Sequence, residues 1–240
     1  LSGNHDPWLS SRRHLLLAGG RVLVTHGDVM HPAVAPWSPA AGRMRRAYHA
    51  AVDRLPREIR DRLEGRLDAA RHASFAEWDD EEAIREEAGR STVGQMLMRP
   101  WSIAQVLLYW RAFPRLAADF AAAHTPEADI VVTGHTHRPG RWRIGDRVVL
   151  NTGSFVAPVR PRAVLLADDA ISLHRIVRHR DSWLRLPRAD HRIELPAGTD
   201  MGVPEHDPDL DAIIAATAST TTTTTGTTTA DPDAGPADTG

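Results

Sequence analysis

The sequence predicts an α/β protein. Short apolar runs that end in polar, glycine-containing turns lie at residues 13–28 and again after Pro126. Between them, from about residue 41 to residue 123, apolar residues recur at helical spacing. Strand signals on both sides of a helical stretch place the chain in the α/β class.

The elements read in order as follows. Leu15-Leu16-Leu17 and Val22-Leu23-Val24 flank Gly19-Gly20, which is a hairpin signal. The second run ends in Thr25-His26-Gly27-Asp28, a polar cluster past a buried strand, where α/β proteins place ligand groups. Pro32, Pro36 and Pro39 make residues 29–40 a loop. Leu55, Ile59, Leu63, Leu67 and Ala70 then form one helical stripe, and Ile103, Val106, Leu107 and Trp110 a second. Glu58 with Arg62, Glu81 with Arg85 and Glu86 with Arg90 are i,i+4 pairs, and Thr92-x-x-Gln95 and Ser102-x-x-Gln105 fit boxes that open helices. Ile130-Val131-Val132 is a short buried strand ending at Gly134-His135. Two hairpins follow, one turning at Gly145-Asp146 and one at Asp168-Asp169. Residues 178–216 are weakly patterned, and the Thr-rich stretch from 217 is expected to be disordered.

Composition bounds the chemistry. The chain has 240 residues, 42% hydrophobic and 25% charged, enough for one sizeable domain. A net charge of −2 gives no pull toward nucleic acid, and none is expected as a partner. Every basic residue other than histidine is arginine. With no cysteine, any metal must be held by His, Asn, Asp or Glu. No apolar run approaches the roughly 18 residues that span a bilayer. No signal peptide is read, and the expected location is cytoplasmic with peripheral membrane association left open. A motif begins two residues after Leu1, so the chain reads as starting partway through a longer one.

The histidines beside glycine at strand ends stand out. His135 and His137 are one residue apart and follow Gly134; Asn4 and His5 sit in Gly-Asn-His-Asp; His26 precedes Gly27. Imidazole nitrogens and an amide oxygen suit a divalent borderline metal. Taken singly each signal is weak, but the three motifs occur together in one order.

Gly-Asn-His-Asp at 3–6, Thr-His-Gly-Asp at 25–28 and Gly-His-Thr-His at 134–137 together resemble the calcineurin-like metallophosphoesterase superfamily. Asn151-Thr152-Gly153-Ser154 is similar to the turn that often follows there. The earlier motifs of that pattern, Asp-x-His and Gly-Asp-x-x-Asp, have no counterpart before residue 3. The resemblance implies a sandwich of two mixed sheets flanked by helices, with first strands missing. It implies a domain over 1–195 with a helical cap insertion at about 33–124, followed by a weak extension at 196–216 and a tail at 217–240.

The resemblance also implies two divalent ions (Mn, Fe, Zn or Mg) and hydrolysis of phosphomonoesters, phosphodiesters or pyrophosphates. Asn4, His26 and His135 would ligate the second metal and His137 the first. His5 would protonate the leaving oxygen and Asp6 would orient it. The implied partner is a phosphorylated small molecule or a lipid-linked substrate. Gly-His-Thr-His-Arg-Pro at 134–139 with a helical insert is similar to the UDP-2,3-diacylglucosamine pyrophosphohydrolases, which typically carry arginine at the position of His5.

His31 and Arg138 are candidate substrate contacts. Arg43, Arg45 and Arg46 read as a solvated helix face, and Trp101, Tyr109, Trp110 and Phe113 as core packing rather than an acyl groove. The alternative to an enzyme is a non-catalytic remnant that binds one metal, an anion or a protein. A split enzyme completed by a separate polypeptide is a third reading.

Overall fold

The computed structural model describes residues 1–78, 100–156, 159–167 and 170–196. They fall in one compact unit, Leu1–His206; a second unit, Asp207–Gly240, lies outside the described residues. The Thr-rich tail, residues 197–216, the box at Thr92 and the pairs Glu81–Arg85 and Glu86–Arg90 lie outside them too.

The described elements are β1 (His14–Leu17), β2 (Val22–Thr25), a 3-10 turn (Asp28–Met30), α1 (Ala41–Arg54), α2 (Arg57–Arg60), α3 (Leu63–Trp78), α4 (Pro100–His124), β3 (Ile130–Thr133), β4 (Gly140–Ile144), β5 (Arg147–Asn151), β6 (Arg162–Ala167), β7 (Ala170–His179) and β8 (Ser182–Glu194). Five strands form one sheet in the order β1-β2-β3-β5-β4, and β6-β7-β8 form another. In the first, β2, β3 and β5 run parallel while β1 and β4 pair antiparallel at the edges. The chain is therefore α/β with two sheets. In one respect the second sheet differs from the mixed one expected: its described pairings are antiparallel, because only two residues separate each strand from the next.

The central strands are buried on both faces. Leu23, Val131 and Val149 share one register row and pack on the helices, against Met44, Tyr48, Leu67 and Phe113. Val22, Ile130, Val132, Val148 and Leu150 point the other way, onto Ile171, Leu166 and Ile193 of the second sheet. Strands covered on both faces read as unbroken apolar runs, which is why Ile130-Val131-Val132 shows no alternation.

The helical stretch departs from its expected details. The stripe Leu55-Ile59-Leu63-Leu67-Ala70 is buried throughout, yet it runs over the end of α1, α2 and α3 rather than one helix. α2 ends at Arg60, so Glu58 and Arg62 do not share a helical turn. Ser102 does not open α4, which begins at Pro100. The buried side of α4 carries Val106, Tyr109, Phe113 and Ala117, whereas Ile103 and Leu107 of the expected stripe are exposed, as is Trp101 at 81%. β8 was not foreseen. It is a mostly exposed edge strand interrupted by Pro187, so it lacks the apolar alternation that marks a half-buried strand.

This topology sets up the site. Parallel β2, β3 and β5 all end on one edge of the sheet, where His26, Gly134-His135 and Asn151-Thr152 follow. Antiparallel β1 begins at that same edge, since His14 pairs with Thr25. Residues 1–13 are thereby delivered to the strand ends.

Candidate functional site

The loop carrying Asn4 is held from both sides. Ser2 N–H donates to Arg12 O (3.3 Å), Ser2 Oγ donates to Ser10 O (2.8 Å), and Gly3 N–H donates to Asp6 Oδ1 (2.6 Å). From α3, Arg71 Nε donates to Pro7 O (3.1 Å) and Trp78 Nε1 to Asn4 O (3.3 Å). Asn4 is thus fixed and buried while His5 beside it is exposed. The Asp6 carboxylate caps its own turn through Gly3 N–H.

The Gly134–His137 turn is built from unusual backbone. His135 and His137 both adopt left-handed conformations, with φ of 51° and 57°. The Asn151 amide underpins them: Nδ2 donates to Thr136 Oγ1 (3.1 Å), to Thr133 Oγ1 (3.3 Å) and to Gly134 O, and Oδ1 accepts from Gly153 N–H (2.9 Å). Trp110 Nε1 of α4 donates to Thr136 O (2.7 Å), and Gly134 N–H donates to His26 O (2.9 Å), tying this turn to the one after β2. Gly27 sits at φ 107°, a region open to glycine, with Phe113, His135 and Thr133 packed close around it.

Three of the sequence-predicted residues converge. Asn4 Oδ1 lies 3.2 Å from His26 Nε2 and 3.2 Å from His135 Nδ1. The two rings meet edge to face, 5.3 Å between centroids. Burial, first of all, lowers the pKa of both imidazoles, His135 to about 3, so both are neutral near pH 7 and carry a lone pair. His135 Nε2 is 3.0 Å from Val34 O, which can only accept, so the ring's one proton is there. Its Nδ1 therefore turns a lone pair toward the Asn4 side chain. Trp37, Tyr109 and Phe113 surround the His135 ring and keep water from it.

Burial lowers the His137 pKa, and the charges of His5 and His26 act in the same direction, which puts the three imidazoles within electrostatic reach of one another. His31 meets the same Tyr109 ring that packs on His135. Its Nδ1 accepts from Ala33 N–H (3.0 Å), and burial followed by the Arg45 charge lowers its pKa. Arg138 is turned to α4, where Nη1 donates to Trp110 O (3.0 Å) and the guanidinium lies over Trp142.

The motifs assign Arg13 no role, and Asp28 only a place in the Thr-His-Gly-Asp cluster. Arg13 Nη2 donates to Asp28 Oδ2 at 2.5 Å in an ion pair with almost no solvent exposure. Asp28 Oδ1 and the Nε and Nη1 of Arg13 have no hydrogen-bond partner among the described residues. An aspartate directly after His-Gly at a strand end was a usable signal for Asp28; nothing in the pattern marked Arg13.

The donor set can be tested for a cation. Among the described residues no group of three or more His, Cys, Asp or Glu is placed to hold one; the trio here is two histidines and an asparagine. Nitrogen and oxygen ligands about 2.1 Å from a divalent ion lie about 3.0–3.4 Å from one another. The 3.2 Å spacings around Asn4 Oδ1 match that shell. Two lone pairs facing each other across 3.2 Å call for a cation between them or for the Asn4 amide to rotate and donate through Nδ2.

No protein-family model matches the chain, and no curated protein matches it. Among solved structures it is similar to vacuolar protein sorting 29 from Cryptosporidium parvum, at 19% identity and a TM-score of 0.25 over 34% of this chain and 44% of that one. Double- and single-mutant forms of Vps29 from Entamoeba histolytica each give 20% identity and a TM-score of 0.24 over 34% of this chain and 47% of theirs. The chain spans less than half the length of these structures, and likeness this slight transfers no activity. No described helix is long and apolar enough to cross a membrane.

Proposed function

We propose that the chain carries the metal site of a calcineurin-like metallophosphoesterase that hydrolyses phosphomonoester, phosphodiester or pyrophosphate bonds. The observation that carries this reading is the meeting of Asn4, His26 and His135 at one point, drawn from stretches up to 131 residues apart. Those three would hold one divalent ion, and His137 would contribute to a second. Paired divalent ions would supply Lewis acidity and charge neutralisation for in-line displacement at phosphorus. His5, exposed beside buried Asn4, would hold the proton for the leaving oxygen. His135 and His137 are both left-handed, and Asn151 and Trp110 keep that turn in shape. The aromatic wall of Trp37, Tyr109 and Phe113 keeps His135 dry and neutral, which favours ligation over protonation.

A generic aryl phosphate ester assayed with Mn, Zn or Mg tests the reading. Turnover that is lost in His5→Ala and in His137→Ala, with two metals per chain by elemental analysis, is the expected result. Full activity in both variants would overturn it. A second reading, a one-metal binding module without turnover, is favoured by the same trio, which by itself makes one position. One tightly bound metal and no hydrolysis under any loading would select it.

A further inference from the structure

β7 and β8 outrun the sheet they belong to. β6 pairs with β7 only between Ala170 and Arg175, while β7 and β8 continue through Ile176↔Arg185, Val177↔Leu184, Arg178↔Trp183 and His179↔Ser182. Beyond Arg175 the chain is thus a two-stranded ribbon, an arrangement with little stability of its own in water. Just behind its Arg180-Asp181 turn it carries exposed apolar side chains. Trp183 and Leu184 are each 48% exposed, and Phe155 and Val156 beside them are 58% and 62% exposed. Phe155 and Trp183 stack edge to face at 4.9 Å.

Cross-strand partners share a face of a ribbon, so Trp183 stands with Arg178 on one face and Leu184 with Val177 on the other. An apolar side chain on each face of a thin, projecting tip does not suit a flat protein partner, which would cover only one of them. Insertion into a lipid headgroup layer would bury both. The charge around the tip points the same way. Residues 175–188 hold five arginines and one carboxylate, Asp181. Arg175 is occupied by Asp190, but Arg178, Arg180, Arg185 and Arg188 form no ion pair among the described residues. Aromatic and aliphatic groups near the end of an element, with arginines around them, are the chemistry that recognises an anionic bilayer surface.

We infer that the β7–β8 tip, with Phe155 and Val156, docks the protein on anionic lipid membranes. The inference goes beyond the phosphoesterase reading and does not depend on it. Asn151 buttresses the Gly134–Thr136 turn and Phe155 follows only four residues later, so the docking face and the candidate site are linked through one short loop.

Vesicle co-sedimentation of the full chain tests this. Binding is expected to phosphatidylcholine vesicles doped with phosphatidylglycerol, to be much weaker on phosphatidylcholine alone, and to weaken as salt rises. Trp183→Ser with Leu184→Ser, and separately Arg178→Glu with Arg180→Glu, should each weaken it about tenfold or more. Circular dichroism checks that both variants fold; all four positions are exposed. The inference is overturned if the folded wild-type chain ignores anionic vesicles, if both variants bind as it does, or if the wild type is a dimer that the Trp183/Leu184 variant converts to monomer. In that last case a second copy covers the tip.

Discussion

Arg13 Nη2 and Asp28 Oδ2 lie 2.5 Å apart with both side chains shut off from solvent, directly behind the His26 turn. Burial alone would raise the Asp28 carboxyl; the Arg13 guanidinium, then His26 and His135, overrule it and hold its pKa below the ordinary value. Removing one partner leaves an uncompensated charge in the interior, which costs about 3–5 kcal/mol. Arg13→Met and Asp28→Leu should therefore each unfold at markedly lower urea concentration. The double variant Arg13→Met with Asp28→Leu should recover much of the loss, because neither charge remains. Additive losses in this double-mutant cycle would mean the pair is not coupled.

Asn151 holds the Gly134–Thr136 turn with donors that no alanine can replace. Asn151→Ala should cost about 1–3 kcal/mol in chemical denaturation, the expected penalty for stranded buried polar groups. It should also weaken Co²⁺ or Zn²⁺ binding about tenfold or more, as loss of a support to a ligating histidine does. Asn151→Asp keeps the acceptor for Gly153 N–H but cannot donate, so it should behave like the alanine variant in metal titration.

Gly3 is defined by what lies against it. A Cβ there would sit 2.7 Å from three atoms of the His26 ring, so Gly3→Ala must push that ring away from Asn4. Metal binding should fall while the helices stay intact by circular dichroism. Gly42→Ala is the control. Its Cβ would meet only Arg46 Nη1 at an ordinary 3.8 Å, and a glycine-to-alanine change in a helix gains about 0.5 kcal/mol. Equal metal affinity in the Gly3 variant and the wild type would refute the close approach.

His72 supplies a pH dependence away from the site. Its hydrogen bond to Asp68 is the main cause raising its pKa, against burial, which lowers it. The folded pKa therefore exceeds the ordinary 6.5. The stabilisation is fully present below pH 6.5 and is lost as pH rises through the folded value. Thermal melts from pH 6 to 8 should show a small decline in wild type that His72→Gln removes. An identical slope in both proteins would assign the decline elsewhere.

Much of the site was legible because its residues are local in motif even where they are remote in space. Gly19-Gly20 marked the β1–β2 hairpin, and Ala18, Gly19 and Gly20 all take the positive φ such a turn needs. Three glycine-flanked histidine motifs marked strand ends, and the parallel order β2-β3-β5 sets two of them side by side, with the start of β1 bringing the third to the same edge. What escaped the sequence depends on tertiary choice. Helical spacing in α4 fits more than one face, and the sheet selected Val106, Tyr109 and Phe113 over Ile103 and Leu107. β8 escaped because an exposed edge strand needs no apolar alternation. Arg13 escaped because a buried arginine is identified by its partner, and Asp28 is 15 residues away.

The Asn4–His135 contact also bears on the order of events in folding. It spans 131 residues and closes a loop that holds β1 to β3 and all the described helices. Closure over such a separation is entropically late compared with the β1–β2 hairpin or the packing of α1 on α3. An ion captured by Asn4, His26 and His135 would therefore bind only molecules in which this long loop has closed, and would slow their unfolding more than it hastens their formation.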